Sequence, residues 1–338
     1  MTSWQGGDMG EHEPMTAQLH TPLIVASDQG GDPDDALTLA LLAMTEPRLE
    51  LVITADELPD SRRAKFTRHL LTLLGRDDVR VVAGRVLGES KYWAADHLYP
   101  ADITVESVDV YEAVAEVCGR VSTSVRYLGL GPLTDLAYIL EEDLRQSNPL
   151  RLGERLCIWQ MGGALNYRRP ERAEHNFRLN PQAVHAVMAR AKHFSLVMSD
   201  HTFVPDIAVD TGSPIYRLLA ASPRPWAQLL RQHLDQWFLG FHSSSKMHDP
   251  LTMTAAIGLR FVSFEWAEFH LAPDARMSAG TDFGALLSAG ADYGAFVEWV
   301  LATLRTGKPA RPVTLGQAAD ERATLKAGFS GFSEPGRE

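Results

Sequence analysis

Residues 24–43, IVASDQGGDPDDALTLALLA, decide the fold. An apolar run ends at Asp28. Three more aspartates, Asp32, Asp34 and Asp35, follow around Gly30 and Gly31, and the apolar positions then fall at helical spacing. A short apolar run, a glycine-containing turn and a helix together open a β–α unit. Asp32 is placed to cap the helix, Pro33 suits its first position, and Asp34 and Asp35 occupy the first turn near the positive end of the dipole. Any one acid at a helix start is ordinary. Four around one strand end repel each other, and burial raises that cost. A bound divalent cation removes it. The spacing does not fit an EF-hand, which needs a terminal Glu. There is no lysine for a P-loop, and an aspartyl-phosphatase pair fails because position 30 is Gly.

Outward from this unit, strands and helices alternate. Strand patterns fall at 22–27, 49–54, 79–84, 125–131, 155–163 and 194–200. Helical patterns fall at 33–44, 60–75, 108–121, 133–144 and 180–191. Beyond residue 200, helical patterns cover 213–240, the stretch after Pro250 and 292–305, and FEWAEFHLA (264–272) reads as a late strand at the sheet edge. Strict alternation indicates an α/β fold: an open, mostly parallel (mixed) twisted sheet flanked by helices, with a Rossmann-like core. Ligands bind such sheets beyond the carboxyl ends of the strands, where Asp28 lies. With no linker or repeat, one domain is expected over 21–317, between mobile segments at 1–20 and 318–338.

The chain has 338 residues, 45% hydrophobic and 22% charged, with a net charge of −11. That balance argues against nucleic acid or anionic membrane as partner, but not against a small nucleotide-like molecule. Cys118 and Cys157 match no zinc or redox spacing and read as buried thiols of a reducing cytoplasm. The N-terminal residues lack the pattern of a signal peptide, and no apolar run has transmembrane length. A cytoplasmic location is expected.

The stretch Asp28-Gln29-Gly30-Gly31-Asp32-Pro33-Asp34-Asp35-Ala36 resembles the signature of the calcium-dependent nucleoside N-ribohydrolases of the inosine–uridine type. Three further segments match that family in order: LGLGPLTDLA (128–137), MGGALNYRRPERAEHNFRLNPQAVHAV (161–187) and KMHDPLT (246–252). The resemblance implies a metal shell of Asp28, Asp35, Asp249 and the Leu130 carbonyl. Its oxygen donors suit Ca2+. It implies that Asp34, Asn166, Glu174 and Asn176 hold the ribose, that Asp28 takes a proton from the attacking water, and that His248 protonates or binds the departing base. The implied reaction is hydrolysis of the N-glycosidic bond of a ribonucleoside or related ribosyl compound, through an oxocarbenium-like state. The implied assembly is a homo-oligomer, a dimer or tetramer. A non-catalytic, metal-dependent nucleoside- or sugar-binding protein is the alternative. A phosphohydrolase is the weaker enzyme alternative, since no clear Arg/Lys phosphate clamp stands out near the motifs.

The chain also departs from the family. Its acidic loop is two residues longer, which leaves Asp28 and Asp32 competing for the metal, with Asp28 favoured because it ends the strand and Asp32 fits a cap. Ala26 stands where another Asp is usual. Glu57 or Asp60 falls where the family has a Gly-Asn near the sugar, Asp60 fitting equally well as a helix cap. Leu87 replaces a His, His175 replaces a Phe and Asn180 replaces an Asp. Tyr92, Trp93 and Trp237 are candidates to stack on a base. These changes surround the sugar and base and point to an unusual substrate preference.

Overall fold

The computed structural model describes residues 21–88, 92–308 and 310. The expected terminal segments 1–20 and 318–338 lie outside these residues, as do positions 89–91 of the VLGESKYW stretch. Among the described residues the strands are β1 (Leu23–Ser27), β2 (Leu49–Thr54), β3 (Arg80–Ala83), β4 (Val125–Gly129), β5 (Leu156–Met161), β6 (His193–Val197), β7 (Ala208–Val209), β8 (Ser245–Lys246), β9 (Val262–Leu271), β10 (Met277–Ala279) and β11 (Phe283–Ala291). The principal helices are α1 (Pro33–Thr45), α2 (Arg62–Leu73), α3 (Val110–Gly119), α4 (Thr134–Arg145), α5 (His175–Leu179), α6 (Pro181–Arg190), α7 (Pro214–Ala221), α8 (Pro225–Gly240), α9 (His248–Ala256) and α10 (Tyr293–Thr306).

Nine strands form one sheet in the order β10-β9-β11-β6-β5-β4-β1-β2-β3. From β11 to β3 all neighbours are parallel, and β9 and β10 add antiparallel pairings at one end. The chain runs from β1 outward through β2 and β3, then returns to β4 on the other flank of β1 and proceeds through β5 and β6. The order reverses between β1 and β4, so a crevice opens beyond their carboxyl ends. Asp28 follows β1 and Leu130 follows β4, and the Leu130 amide donates to the Ala26 carbonyl at 2.7 Å.

Residues of β1 are buried on both faces, as a central parallel strand requires. Leu23 and Val25 pack in one core layer with α1, α2, α8 and α10, while Ile24 and Ala26 face a second layer with α3, α4 and α6. Helix α1 is buried over Pro33–Met44, acids included. The paired segment β7–β8 lies apart from the main sheet.

The late strand differs from expectation in position. It is second from the edge, because β10 pairs outside it and β11 inside. The two missed strands of the main sheet, β10 and β11, are rich in Gly, Ala and Ser, which give little strand propensity or alternation. The helix expected after Pro250 starts two residues earlier. A proline in the first helical turn is tolerated there, since that N–H has no intrahelical partner.

Candidate metal and substrate site

Helices α1 and α9 pack against each other, and their first turns meet at the switch point. Asp34 and Asp35 open α1, and Asp249 is the second residue of α9. One carboxylate oxygen from each of these three buried residues lies within 4.8 Å of the others. Asp34 Oδ2 accepts from the Asp249 amide at 3.1 Å. Asp35 Oδ1 accepts from the Ser27 hydroxyl. No Lys or Arg among the described residues forms an ion pair with the trio.

The three carboxyls are held well above the ordinary carboxylate range, chiefly by burial and then by neighbouring carboxylates: Asp32 and Asp28 act on Asp34, Asp28 and Asp34 on Asp35, and Asp34, Asp35 and Asp28 on Asp249. Asp32 is pushed up to about 7 by burial, against the stabilising Ser245 hydroxyl. Buried carboxylates without a counter-charge cannot all ionise. The donor set is entirely oxygen and concentrated at two positive helix ends, so the residues present fit a hard divalent cation.

Of the expected ligands, Asp35 and Asp249 meet in the trio together with Asp34, and the charge of Asp28 bears on all three. Asp28 is half-buried at the end of β1. It faces β4, where a Cβ on Gly131 would lie 3.0 Å from Asp28 Oδ1. The Leu130 carbonyl accepts from Asn176 Nδ2 at 3.0 Å, which leaves it a second lone pair. Asp32 holds the N-cap position of α1, but its side chain turns to Ser245 and makes no capping bond.

The longer loop is built by residues that sequence reasoning missed. Gly30 has φ +86°, and the Trp93 ring fills the place of its absent Cβ. That packing accounts for Trp93, whose indole N–H donates to Asp96 at 2.6 Å. Gln29 Nε2 donates to Ser27 Oγ at 2.9 Å and to the Asp35 carbonyl at 3.0 Å. Arg63 is fully buried; it donates to the carbonyls of Asp56 at 2.8 Å and Gln29 at 2.7 Å, and to that of Asp28. His233 meets the Gly31 carbonyl at 3.2 Å, and burial depresses its pKa to about 4. One signal was available for Arg63: it shares a stripe with Phe66, Thr67 and Leu70 on the buried face of α2.

Glu57 and Asp60 also resolve. Glu57 accepts from the amides of Leu58, Arg63 and Ala64 at 2.7–3.0 Å and from the Thr54 hydroxyl at 2.5 Å. It therefore caps α2, with its oxygens committed. Asp60 is exposed at φ +61° and makes no capping bond.

Glu174 caps α5. Its Oε2 accepts from the amides of Gly163, Asn176 and Phe177 at 3.0–3.4 Å, and burial pushes its pKa up to about 7 against those bonds. Asn176 is buried and ties α5 to Leu130 and to the Met161 carbonyl. Asn166 is exposed and held by Asp200. Asn166 and Glu174 line a polar cavity of about 370 Å³ with Arg172 and Arg276, and the aspartate trio does not line it. Asn180 caps α6 and donates to Thr134.

His248 opens α9. Its Nδ1 lies 2.8 Å from Thr202 Oγ1, and its ring stacks on Phe203 at 5.9 Å between centroids. Burial, then the nearby charges of Lys246 and Arg168, depress its pKa to about 3, so the imidazole is neutral at neutral pH. Tyr92 meets His175, Trp237, Phe241 and His242 ring to ring.

A doubly covered parallel sheet with buried carboxylates at its switch point defines an α/β protein with a cluster at the strand ends that could hold a hard metal ion. Residues 23–321 match the inosine-uridine preferring nucleoside hydrolase family. The chain belongs to that family and is an enzyme of the nucleoside hydrolase class. The pyrimidine-specific ribonucleoside hydrolase RihA of Shewanella sp. (strain MR-7) is 28% identical over 259 residues, which are 70% of this chain and 77% of that protein. The purine-preferring ribonucleoside hydrolase from Gardnerella vaginalis has a TM-score of 0.68 at 14% identity, covering 84% of this chain and 98% of the other. The inosine-uridine preferring nucleoside hydrolase from Bacillus anthracis has a TM-score of 0.63 at 18% identity, covering 84% and 99%. At those identities the solved structures establish the shared fold. No described helix is long and apolar enough to cross a membrane.

Proposed function

We propose that this chain hydrolyses the N-glycosidic bond of a ribonucleoside or related ribosyl compound at a Ca2+ centre held by Asp34, Asp35 and Asp249, with the Leu130 carbonyl as a further oxygen. The observation that carries this reading is the buried trio of carboxylates, to which no Lys or Arg among the described residues is ion-paired. Bound there, the ion would acidify the attacking water and engage vicinal ribose hydroxyls. Asp28, more exposed than the trio and beside it, accepts the proton of that water. The water oxygen bonds to the anomeric carbon as the C–N bond breaks, the bonding pair goes to the base nitrogen, and that nitrogen takes up a proton from solvent, while the proton held by Asp28 returns to solvent before the next turnover. Carboxylates beneath the sugar favour the positive charge developing on the ring. Asn176 fixes the Leu130 carbonyl, and Glu174 fixes the turn that presents Asn176. Neutral His248 contacts the leaving base as a hydrogen-bonding group. A cytoplasmic homo-oligomer on one domain over 21–317 completes the reading.

A panel of purine, pyrimidine and aryl ribosides, assayed for reducing sugar with calcium and with chelator, tests it. Chelator-sensitive release is expected. Binding of ribosides without release of free base in the calcium-loaded protein would refute catalysis.

A further inference from the structure

Arg168 and Lys246 lie far apart in sequence, yet both sit over one ring. The Arg168 guanidinium is 4.0 Å and the Lys246 ammonium 4.2 Å from the centroid of Phe203, the ring that stacks on His248. Arg168 is exposed on the loop after β5, and Lys246 is half-buried at the end of β8. Neither side chain makes an ion pair or hydrogen bond among the described residues. In a chain of net charge −11, cations normally find carboxylates. Two like charges over one ring repel, and an exposed cation–π contact offsets little of that. An anion within reach of both reverses the sign. Arg168 and Lys246 stand in two separate motif segments, 161–187 and 246–252, and the fold brings them together one ring away from His248.

We propose that Arg168 and Lys246 select a ribosyl substrate bearing an oxyanion substituent, a carboxylate or a phosphate. This rests on the hydrolase reading of the same site and specifies its substrate class. A carboxylate on the leaving base and a phosphate on the ribose present the same chemistry to the clamp: oxygen acceptors with negative charge, each charge-assisted contact giving roughly tenfold or more in affinity.

The test uses the full calcium-loaded chain and two matched pairs: nicotinate riboside against nicotinamide riboside, and uridine 5′-phosphate against uridine. In at least one pair the anionic member is expected to have a kcat/KM at least tenfold above its neutral partner. The Arg168→Gln/Lys246→Gln double variant is expected to lose at least fivefold of that ratio, and each single variant part of it. The responding pair identifies where the oxyanion sits. Hydrolysis of the neutral members with no anionic preference, or a preference that survives in the double variant, overturns the inference and leaves the hydrolase reading standing. If no riboside is cleaved, the hydrolase reading fails. Calorimetric binding of the same pairs to wild type and double variant then decides the clamp on its own: tighter anion binding lost in the variant upholds it, and equal binding overturns it.

Discussion

Asp249→Asn should have opposite effects on the metal-free and calcium-loaded protein. Without the ion, Asp249 is one of three buried carboxyls whose charged forms are disfavoured by burial and mutual repulsion. Asn removes one repelling charge and keeps the side chain's size, so metal-free stability should hold or rise. Calcium loading should act the other way. An ion at a hundred times its dissociation constant stabilises the native state by about 2.7 kcal/mol. A folded body of roughly 290 residues has an unfolding entropy of ~0.6 kcal/mol/K, so that stabilisation raises Tm by about 4–5 °C. Asp249→Asn should lose most of the increment at the same calcium concentration.

The pH dependence follows in sign. The raised carboxyls bind more protons in the folded metal-free protein than in the unfolded chain, where they titrate near 4. Above that value, metal-free stability therefore falls as pH rises through the folded-state titration. Calcium competes with those protons, so its increment should grow between pH 5 and pH 8. Thermal melts with chelator and with a calcium series, at three pH values, read both effects. An equal calcium increment in wild type and Asp249→Asn would refute the trio as the metal centre. So would a calcium increment that shrinks with rising pH.

Asp34→Asn should weaken calcium binding by on the order of tenfold or more, as loss of a charged ligand requires. Asp28→Asn should keep most calcium affinity and lose on the order of 10²–10⁴ in kcat as the water's base is lost; titration calorimetry beside steady-state kinetics separates the two, and the reverse pattern would restore Asp28 as the ligand. His248→Gln should slow ribosides of poor leaving bases more than nitrophenyl riboside and leave the pH–rate breaks between 5 and 8 in place, because this imidazole is already neutral there; a vanished break would show that its protonation is used. Arg63→Met should cost about 3 kcal/mol or more, since it abandons three buried carbonyls, and should weaken calcium binding as the acidic loop loosens; denaturant unfolding with and without calcium reads both.

The β–α alternation was legible because central parallel strands are apolar on both faces and their helices carry a regular stripe. Strand β2 falls on the expected residues 49–54, and α1 runs one residue past its expected end. Strands β10 and β11 were not legible, because Gly, Ala and Ser can hold an antiparallel pairing without announcing it. The acids behave similarly. Each of Asp28, Asp32, Asp34, Asp35 and Asp249 stands out in the sequence, yet which of them share a centre depends on where two helices begin relative to each other. Placing the helix start at Pro33 was enough to put Asp34 and Asp35 together. The side chain that reaches Asp249 depended on the packing of α1 against α9, which no local pattern encodes.

The groups that support the loop were the least legible, and the reason is general. A buried arginine that bonds to carbonyls answers backbone geometry, and carbonyls carry no residue identity. Arg63 thus reads in sequence as one more cation in RRAKF, although its apolar-stripe position contradicts a solvated role. The same holds for Arg168, Lys246 and Phe203, which belong to three separate segments and meet only once β8 and the loop after β5 are set around α9. The metal acids are conspicuous because many oxygen ligands must crowd one ion. Residues that choose among substrates act singly, so it is at the rim of this site, around Phe203 and His248, that the fold adds most to what the sequence discloses.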